Sequence, residues 1–371
     1  MRILLIGEAS YVHNTLRRAF RAKGHEVVLM SDGNAWHDSP RDIDLRRNLA
    51  EGKWGGVKVM LRLLRQLPRL RGFDIVQITN PNCVPLKLQW NIRLLRYLAR
   101  NNRRVVMGCF ADDPVILQRQ AEGALQYCDT YWNGLPQMQR ENAQRIAAQQ
   151  LPEAWAALRN AVQCSARLVA CLYEYFLCYD CDPYRSKLRY LPLPIDLPEA
   201  SQVRTKGQGE TLRILVGIQS QRDYMKGASV IAGWLEQLAA ERPDRIQLMR
   251  AEDVPYDEYC RMLDEADVLV DQLYSYTPAM NALAAMARGT VVIGGGEESY
   301  YRFIGEDALR PIINVRPDRP EESLATLRDA LFTPGAVARK SQESRAFVAK
   351  YHAAPLVAAR YIQLYEEILH E

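Results

Sequence analysis

Between residues 265 and 296 the chain reads EADVLVDQLYSYTPAMNALAAMARGTVVIGGG: a strand, a sharp loop, a helix and a second strand. Asp267 to Asp271 is a short apolar run fit for a buried parallel strand. The Thr277 hydroxyl can accept from amides two or three residues on, and Pro278 suits a first helical position, where no amide bond is lost. The spacing predicts a helix over 278–287, capped by Thr277 and ended by Gly289, with Thr290 to Ile293 as the next strand. Such a helix begins at the carboxyl edge of a parallel sheet, with free amides and a partial positive charge facing outward. Phosphate groups bind at such places.

The elements that must hold this turn alternate along the whole chain. Strand patterns fall at 2–6, 26–30, 73–78, 104–109, 167–172, 188–192, 212–218, 246–249, 267–271, 290–293 and 311–315. Helical patterns at 13–23, 57–67, 88–100, 227–240, 256–265 and 278–287 lie between them. Alternation of this kind predicts an α/β protein of parallel sheets with helices on both faces. Residues 141–162 read as one long polar helix inserted before strand 167–172. The pattern restarts after a polar stretch at 201–211 that reads as a linker, and Leu212 to Gly217 resembles Ile3 to Gly7. Two Rossmann-like domains facing one another across a cleft are expected: 1–196, then 197–350. A final helix in 351–371, with Val357, Tyr361, Leu364, Tyr365 and Ile368 on one face, is expected to pack across the junction.

Bulk properties agree with this organisation. A chain of 371 residues exceeds one comfortable core. No apolar run approaches the ~20 residues of a membrane span. The apolar part of Met1 to Gly7 is too short for a signal peptide and reads as a first strand, so a cytoplasmic location is expected. Residues 1–110 hold 20 Lys and Arg against 8 Asp and Glu, a surplus of 12 in a chain whose net charge is only +4. The N-terminal half is therefore expected to meet something anionic. Eight cysteines, with Cys164, Cys171, Cys178 and Cys181 crowded together, lack the second pair that zinc spacing requires and read as small buried residues. Gly7-Glu8-Ala9-Ser10 and Gly217-Ile218-Gln219 lack the further glycines of a dinucleotide loop, and there is no Walker-type lysine motif. No cofactor and no metal are expected.

Lys58, Arg62, Arg65 and Arg69 recur at helical spacing, and Arg93, Arg96, Arg100 and Arg104 form a second stripe. A cationic stripe beside leucines suits an anionic membrane surface, here the inner face of a membrane. The competing reading is a solvated face with Leu61, Leu64 and Leu67 in the core. Aromatics do not interleave with stripe 58–69, which argues against nucleic acid.

Three stretches resemble the GT-B glycosyltransferases, in particular the retaining family 4 (group 1) type. They are Leu191-Pro192-Leu193-Pro194-Ile195-Asp196, then Gly217 through Lys226-Gly227, then Val254-Pro255-Tyr256 through Ala266-Asp267-Val268 and Leu283 to Gly289. They cover the C-terminal half; the N-terminal half matches only in architecture. The resemblance implies sugar transfer from a nucleotide diphosphate sugar to a polysaccharide, glycan or lipid-linked acceptor, with no obligatory metal. The leaving diphosphate must then be stabilised as its charge grows. Arg222 and Lys226, four residues apart, would supply positive charge, with Gly227 and amides near Thr277, Ala279 and Met280 completing the cradle. Glu252, Asp253 and Val254 match the loop whose backbone reads the base.

In one respect the chain departs from the family. Two family glutamates, eight residues apart, fall here on Tyr276 and Ala284. Tyr276 would then lie near the transferred sugar, and Asp271 and Glu297, on flanking strand ends, would take over contacts to ribose and sugar. In the first domain His13, just after the first strand and expected to face the cleft, is a candidate base toward an acceptor hydroxyl, with a capping or packing histidine at the start of helix 13–23 as the alternative. The resemblance points to Asp112 and Asp113, where the family often has a His-Asp pair. The alternative function is a catalytically inactive relative that serves as a binding or partner subunit.

Overall fold

The computed structural model describes residues 1–33, 39–132, 134–199 and 203–371. It divides into two compact units. The first comprises Met1–Glu122, Gln144–Pro194 and Ala354–Glu371, and the second Gly123–Ala143 and Ile195–Ala353. Residues 123–143, expected in the first domain, thus cluster with the second. The reason is burial: Met138 is sealed in the second unit's core, with Trp132 and Leu135 packed against it. The last helix, Ala354–His370, clusters with the first unit, where Tyr361 and Tyr365 pack edge-on or tilted against Phe20 and the Tyr365 hydroxyl donates to Gln77 Oε1 at 2.5 Å.

The first unit holds strands β1 (Arg2–Ile6), β2 (Glu26–Ser31), β3 (Ile43–Asp44), β4 (Ile75–Ile78), β5 (Arg104–Cys109), β6 (Arg167–Ala170) and β7 (Leu188–Tyr190). All pair in parallel, in the order β3-β2-β1-β4-β5-β6-β7. Ile3 to Ile6 are buried throughout, as a parallel strand covered on both faces requires. The order reverses between β1 and β4. The expected helix over 141–162 is two helices, Pro136–Gln149 and Pro152–Cys164. Pro152 has no amide to continue the first helix, and the preceding Leu151 is extended, so a new helix starts there.

The second unit holds β8 (Leu212–Ile218), β9 (Ile246–Glu252), β10 (Val268–Val270), β11 (Val291–Gly294) and β12 (Ile313–Asn314), parallel in the order β12-β11-β10-β8-β9. Ile214, Val216, Val268, Val270, Val291 and Ile293 form one side of its core, against Ile231, Leu235 and Leu238 of the helix Ala228–Glu241. The strand order reverses between β8 and β10. In open parallel sheets ligands gather outside the carboxyl ends of the strands at such a reversal. Positions 201 and 202 of the expected linker lie outside the described residues. The rest is strapped to the second unit: Lys206 is buried, its Nζ donating to Asp264 O at 2.6 Å, and the Gly207 amide donates to Asp267 Oδ1 at 3.0 Å.

Candidate functional site

The loop after β8 carries the first site residues. Arg222 opens a single helical turn, Asp223–Lys226, and is exposed. Gly227 follows with φ +70°, and a Cβ there would stand 2.9 Å from Leu273 Cβ and 2.8 Å from the Tyr274 ring. Only glycine meets both demands, the left-handed backbone and the close approach. The Leu273 amide donates to Lys226 O at 2.7 Å, so the Lys-Gly turn lies against the loop that leaves β10. Lys226 is half-buried. Burial pushes its ammonium pKa down, opposed by the negative charge of Asp271. Among the described residues no carboxylate oxygen lies within 4 Å of its Nζ to form an ion pair.

Asp271 ends β10 from the other side of the strand reversal. It is buried, and its amide donates to Ile293 O at 2.9 Å. Burial raises its carboxyl pKa, while the Lys226 charge and a hydrogen bond from the Asn281 side chain pull it back. Asn281 also exchanges hydrogen bonds with the Tyr259 hydroxyl, at 2.9 and 3.1 Å. A Cβ on Gly217, at the end of β8, would stand 3.0 Å from the Tyr259 ring, so that ring covers bare backbone. Lys226, Asp271, Asn281 and Tyr259 thus converge where β8 and β10 part.

The helix beside them corrects one expectation. It runs Met280–Ala287 with Ala279 at its N-cap and no side-chain cap, so Thr277 does not cap it and Pro278 is not its first residue. Pro278 and Ala279 prolong the loop, and the first intrahelical bond joins the Leu283 amide to Ala279 O at 2.9 Å. The amides of Met280, Asn281 and Ala282 thus have no acceptor within the helix itself. Thr277 is buried within the loop. Gly289, φ +89°, ends the helix as expected.

The loop expected to read the base has a structural task. Asp253 takes φ +47°, its amide donates to Ile218 O at 3.1 Å, and its carboxylate accepts from the Ser220 hydroxyl and, at 3.2 Å, the Ser220 amide. It ties the loops after β8 and β9 together. Glu252 is exposed, and Val254 packs against the cluster of Leu215, Ala251 and Leu263.

Tyr276 and Glu297 belong to a neighbouring network in the same unit. The Tyr276 ring stacks on Tyr127 at 4.7 Å, and its hydroxyl accepts from the Gln126 amide at 3.0 Å. The Tyr127 hydroxyl donates to Glu297 at 2.8 Å, and Asn314 and Arg316 donate to the same carboxylate at 3.0 and 3.5 Å. Glu297 is thus occupied by three donors from its own chain, and Tyr276 is held by the 123–143 segment.

In the first unit the three acid–base candidates are all engaged. His13 is fully buried: Nδ1 bonds to Gly7 O at 2.8 Å and Nε2 to the Gln77 amide nitrogen at 3.1 Å. With Nδ1 donating and Nε2 accepting, the ring is neutral and has no free lone pair, and burial lowers its pKa to about 4. This favours the packing alternative over a base. Asp113 caps the helix Pro114–Ala121 through Ile116 N at 3.0 Å and accepts from the Tyr179 hydroxyl. Burial, partly offset by these bonds, raises its pKa to about 6. Asp112 is paired with Arg145. Cys109, Cys171 and Cys178 are buried, and all eight cysteines are free thiols.

Asn281 and Tyr259 escaped the sequence reading. A helix begun at Pro278 puts Asn281 inside its first turn as a bystander, and the Tyr259 contact spans 22 residues without a local signal. Among the described residues no group of three or more His, Cys, Asp or Glu side chains is placed to hold a metal ion.

No protein-family model matches the sequence, and no curated protein is similar to it in sequence. Solved structures do match in fold. Sucrose-phosphate synthase from Thermosynechococcus elongatus aligns over 100% of this chain and 99% of its own, at 13% identity and TM-score 0.58. HepE from Anabaena, solved with UDP and glucose, aligns over 99% and 100%, at 10% identity and TM-score 0.58. The catalytic domain of starch synthase IV from Arabidopsis thaliana, bound to ADP and acarbose, aligns over 100% and 99%, at 9% identity and TM-score 0.59. With two parallel, Rossmann-like sheets of seven and five strands, and matches that span the whole chain, this protein has the GT-B fold.

Proposed function

We propose that the second unit binds a nucleotide diphosphate sugar and that the chain transfers the sugar, a hexose, to a glycan, polysaccharide or lipid-linked acceptor at the cytoplasmic face of a membrane. One observation carries this reading: a half-buried lysine with no ion-pair partner among the described residues stands near a buried carboxylate and a helix first turn, whose amides have no intrahelical acceptor, at the β8/β10 reversal. Lys226 and the amides of Met280 and Asn281 would take the diphosphate, stabilising charge that develops as the sugar leaves. Arg222 would approach from solvent. An ionised Asp271 repels phosphate, so its place is toward ribose hydroxyls, oriented by Asn281, with the Tyr259 ring beside the nucleoside. This charge complement replaces a metal in the reading. Similar folds support it, since HepE was solved with UDP and glucose and the starch synthase domain with ADP.

Calorimetry with UDP, GDP and ADP, with and without chelator, tests the proposal. Binding of one diphosphate that survives chelation, followed by release of that diphosphate from its sugar conjugate, is the expected result. If none binds at millimolar concentration, the donor site is wrongly assigned.

A further inference from the structure

The helix Gly52–Gln66 presents a face that the fold does not use. Its buried residues are Gly55, Val59 and Leu63, which form a single inward line. Opposite that line stand Trp54, Val57, Leu61 and Leu64, at relative exposures of 73, 44, 49 and 49%. With Leu49 just before the helix, they are five of the ten exposed large hydrophobic side chains among the described residues. The spacing 54, 57, 61, 64 follows the helical repeat, so the four make one stripe roughly 15 Å long. The alternative in which Leu61 and Leu64 lie in the core is therefore excluded. Singly scattered apolar residues need no explanation, whereas a contiguous stripe marks a contact surface.

Charge identifies what the stripe contacts. The helix contains Lys53, Lys58, Arg62 and Arg65 and no acidic residue. On a helical projection Lys53 flanks the stripe on one side, and Arg65 and Lys58 flank it on the other. Lys58 is paired with Glu51 at 2.9 Å, and Arg62 turns back to donate to Arg46 O at 2.5 Å. Lys53 and Arg65 are exposed. Of the second basic stripe, Arg96 donates to Asn160 and Arg104 to Ile368 O, so it is partly consumed within the first unit. An apolar centre ending in a tryptophan, with cations at both margins whose stems can rest on acyl chains, fits the boundary between headgroups and hydrocarbon.

We propose that Gly52–Gln66 lies in the plane of an anionic bilayer, with Trp54, Val57, Leu61 and Leu64 inserted and Lys53 and Arg65 at the headgroups. This deepens the reading of an enzyme at a membrane face, but it requires no nucleotide site. Flotation of the full chain with phosphatidylcholine vesicles, with and without about one-third phosphatidylglycerol, tests it. The wild-type chain floats with the anionic vesicles, and less so as salt is raised. Trp54→Ser with Leu61→Ser lowers the partition coefficient on the order of tenfold or more. Lys53→Gln with Arg65→Gln lowers it on the order of tenfold on anionic vesicles only. Absence of flotation, or equal flotation of the Trp54/Leu61 variant, overturns the proposal. So does sedimentation showing that the wild-type chain self-associates through this face and that the same variant abolishes it. Circular dichroism and diphosphate calorimetry on each variant separate the two readings: a chain that floats without binding diphosphate sinks the donor site alone, and one that binds diphosphate without floating sinks only the anchor.

Discussion

Lys226 and Arg222 are four residues apart and equal in charge, yet the structure makes them unequal in effect. Lys226 is half-buried beside Asp271, and Arg222 is in solvent. Replacing Lys226 by Ala removes a charge-assisted contact to the diphosphate worth about 1.5–3 kcal/mol, a loss of about 10- to 150-fold in affinity. The upper part of that range is expected, because Asp271 then faces the diphosphate with no cation between them. Arg222→Ala, acting through solvent, should weaken binding at most about fivefold, an effect that fades at high salt. The backbone bond from Leu273 to Lys226 O does not depend on the side chain, so the turn should persist in the variant.

A pH series adds an independent check. On the proposed placement the diphosphate would bind the protonated lysine, whose pKa is lowered by burial against the opposing Asp271 charge. Affinity should therefore be full below that lowered pKa and fall as pH rises through it, on the acid side of an ordinary lysine. Lys226→Arg should keep its affinity across the same window, since a guanidinium does not deprotonate there. Calorimetry at several pH values measures the wild-type chain and all three variants, and thermal melts verify folding. A Lys226→Ala chain within twofold of wild type, or an Arg222→Ala chain weakened as much as Lys226→Ala, would refute the placement of the diphosphate.

Two further predictions concern the frame that holds the site. Glu306 is buried, and although burial alone would raise its pKa, Lys350 Nζ at 2.7 Å, the Leu309 and Ala308 amides and the Tyr351 hydroxyl bring it down to about 2. Its stabilisation should be fully present above pH ~4.5, the unfolded value, and vanish as pH falls toward 2. Glu306→Gln should thus cost about 2–3 kcal/mol in urea unfolding at pH 7 and progressively less toward pH 3, and an equal difference at both would contradict the assignment. At Gly295 a Cβ would stand 2.1 Å from the Ser275 carbonyl oxygen, in the loop that leads to Tyr276. Gly295→Ala should lower unfolding stability by about 1–3 kcal/mol and weaken diphosphate binding, whereas Gly233→Ala, with open space and a helical backbone, should be neutral or slightly stabilising. Equal melting temperatures for the two variants would show that the loop yields without penalty.

What could be read in advance depended on how local the cause was. The strands β8 and β10 are apolar runs bounded by polar or glycine residues, and a strand of that kind is fixed by its own composition. Lys226 and Asp271 follow such runs, but it was the resemblance to the GT-B enzymes, not the strand pattern, that singled them out. The helix start was not legible, because Thr277-Pro278 satisfies every local rule for a cap and only tertiary contacts carry the loop on to Ala279. Residues 123–143 gave no warning either: Tyr127 and Met138 find their partners at Glu297 and in the sheet β8–β12, more than seventy residues away, and separation of that size leaves no periodicity.

The helix Gly52–Gln66 shows the limit most clearly, since it has apolar residues on two opposite faces. Val59 and Leu63 against Val57, Leu61 and Leu64 is a choice that a hydrophobic pattern cannot make; Gly55 lies on the buried line, where a Cβ would meet the Asn48 backbone carbonyl at 2.3 Å. The same lesson applies to the polar residues. His13 and Asp113 have the chemistry of catalytic groups, but a histidine with both nitrogens bonded and an aspartate that caps a helix have already spent their lone pairs. Asp271 and Lys226 are similarly placed at a strand end and a loop, yet they leave capacity unfilled. The capacity left after the chain has satisfied itself, more than residue type, separates a site from a scaffold.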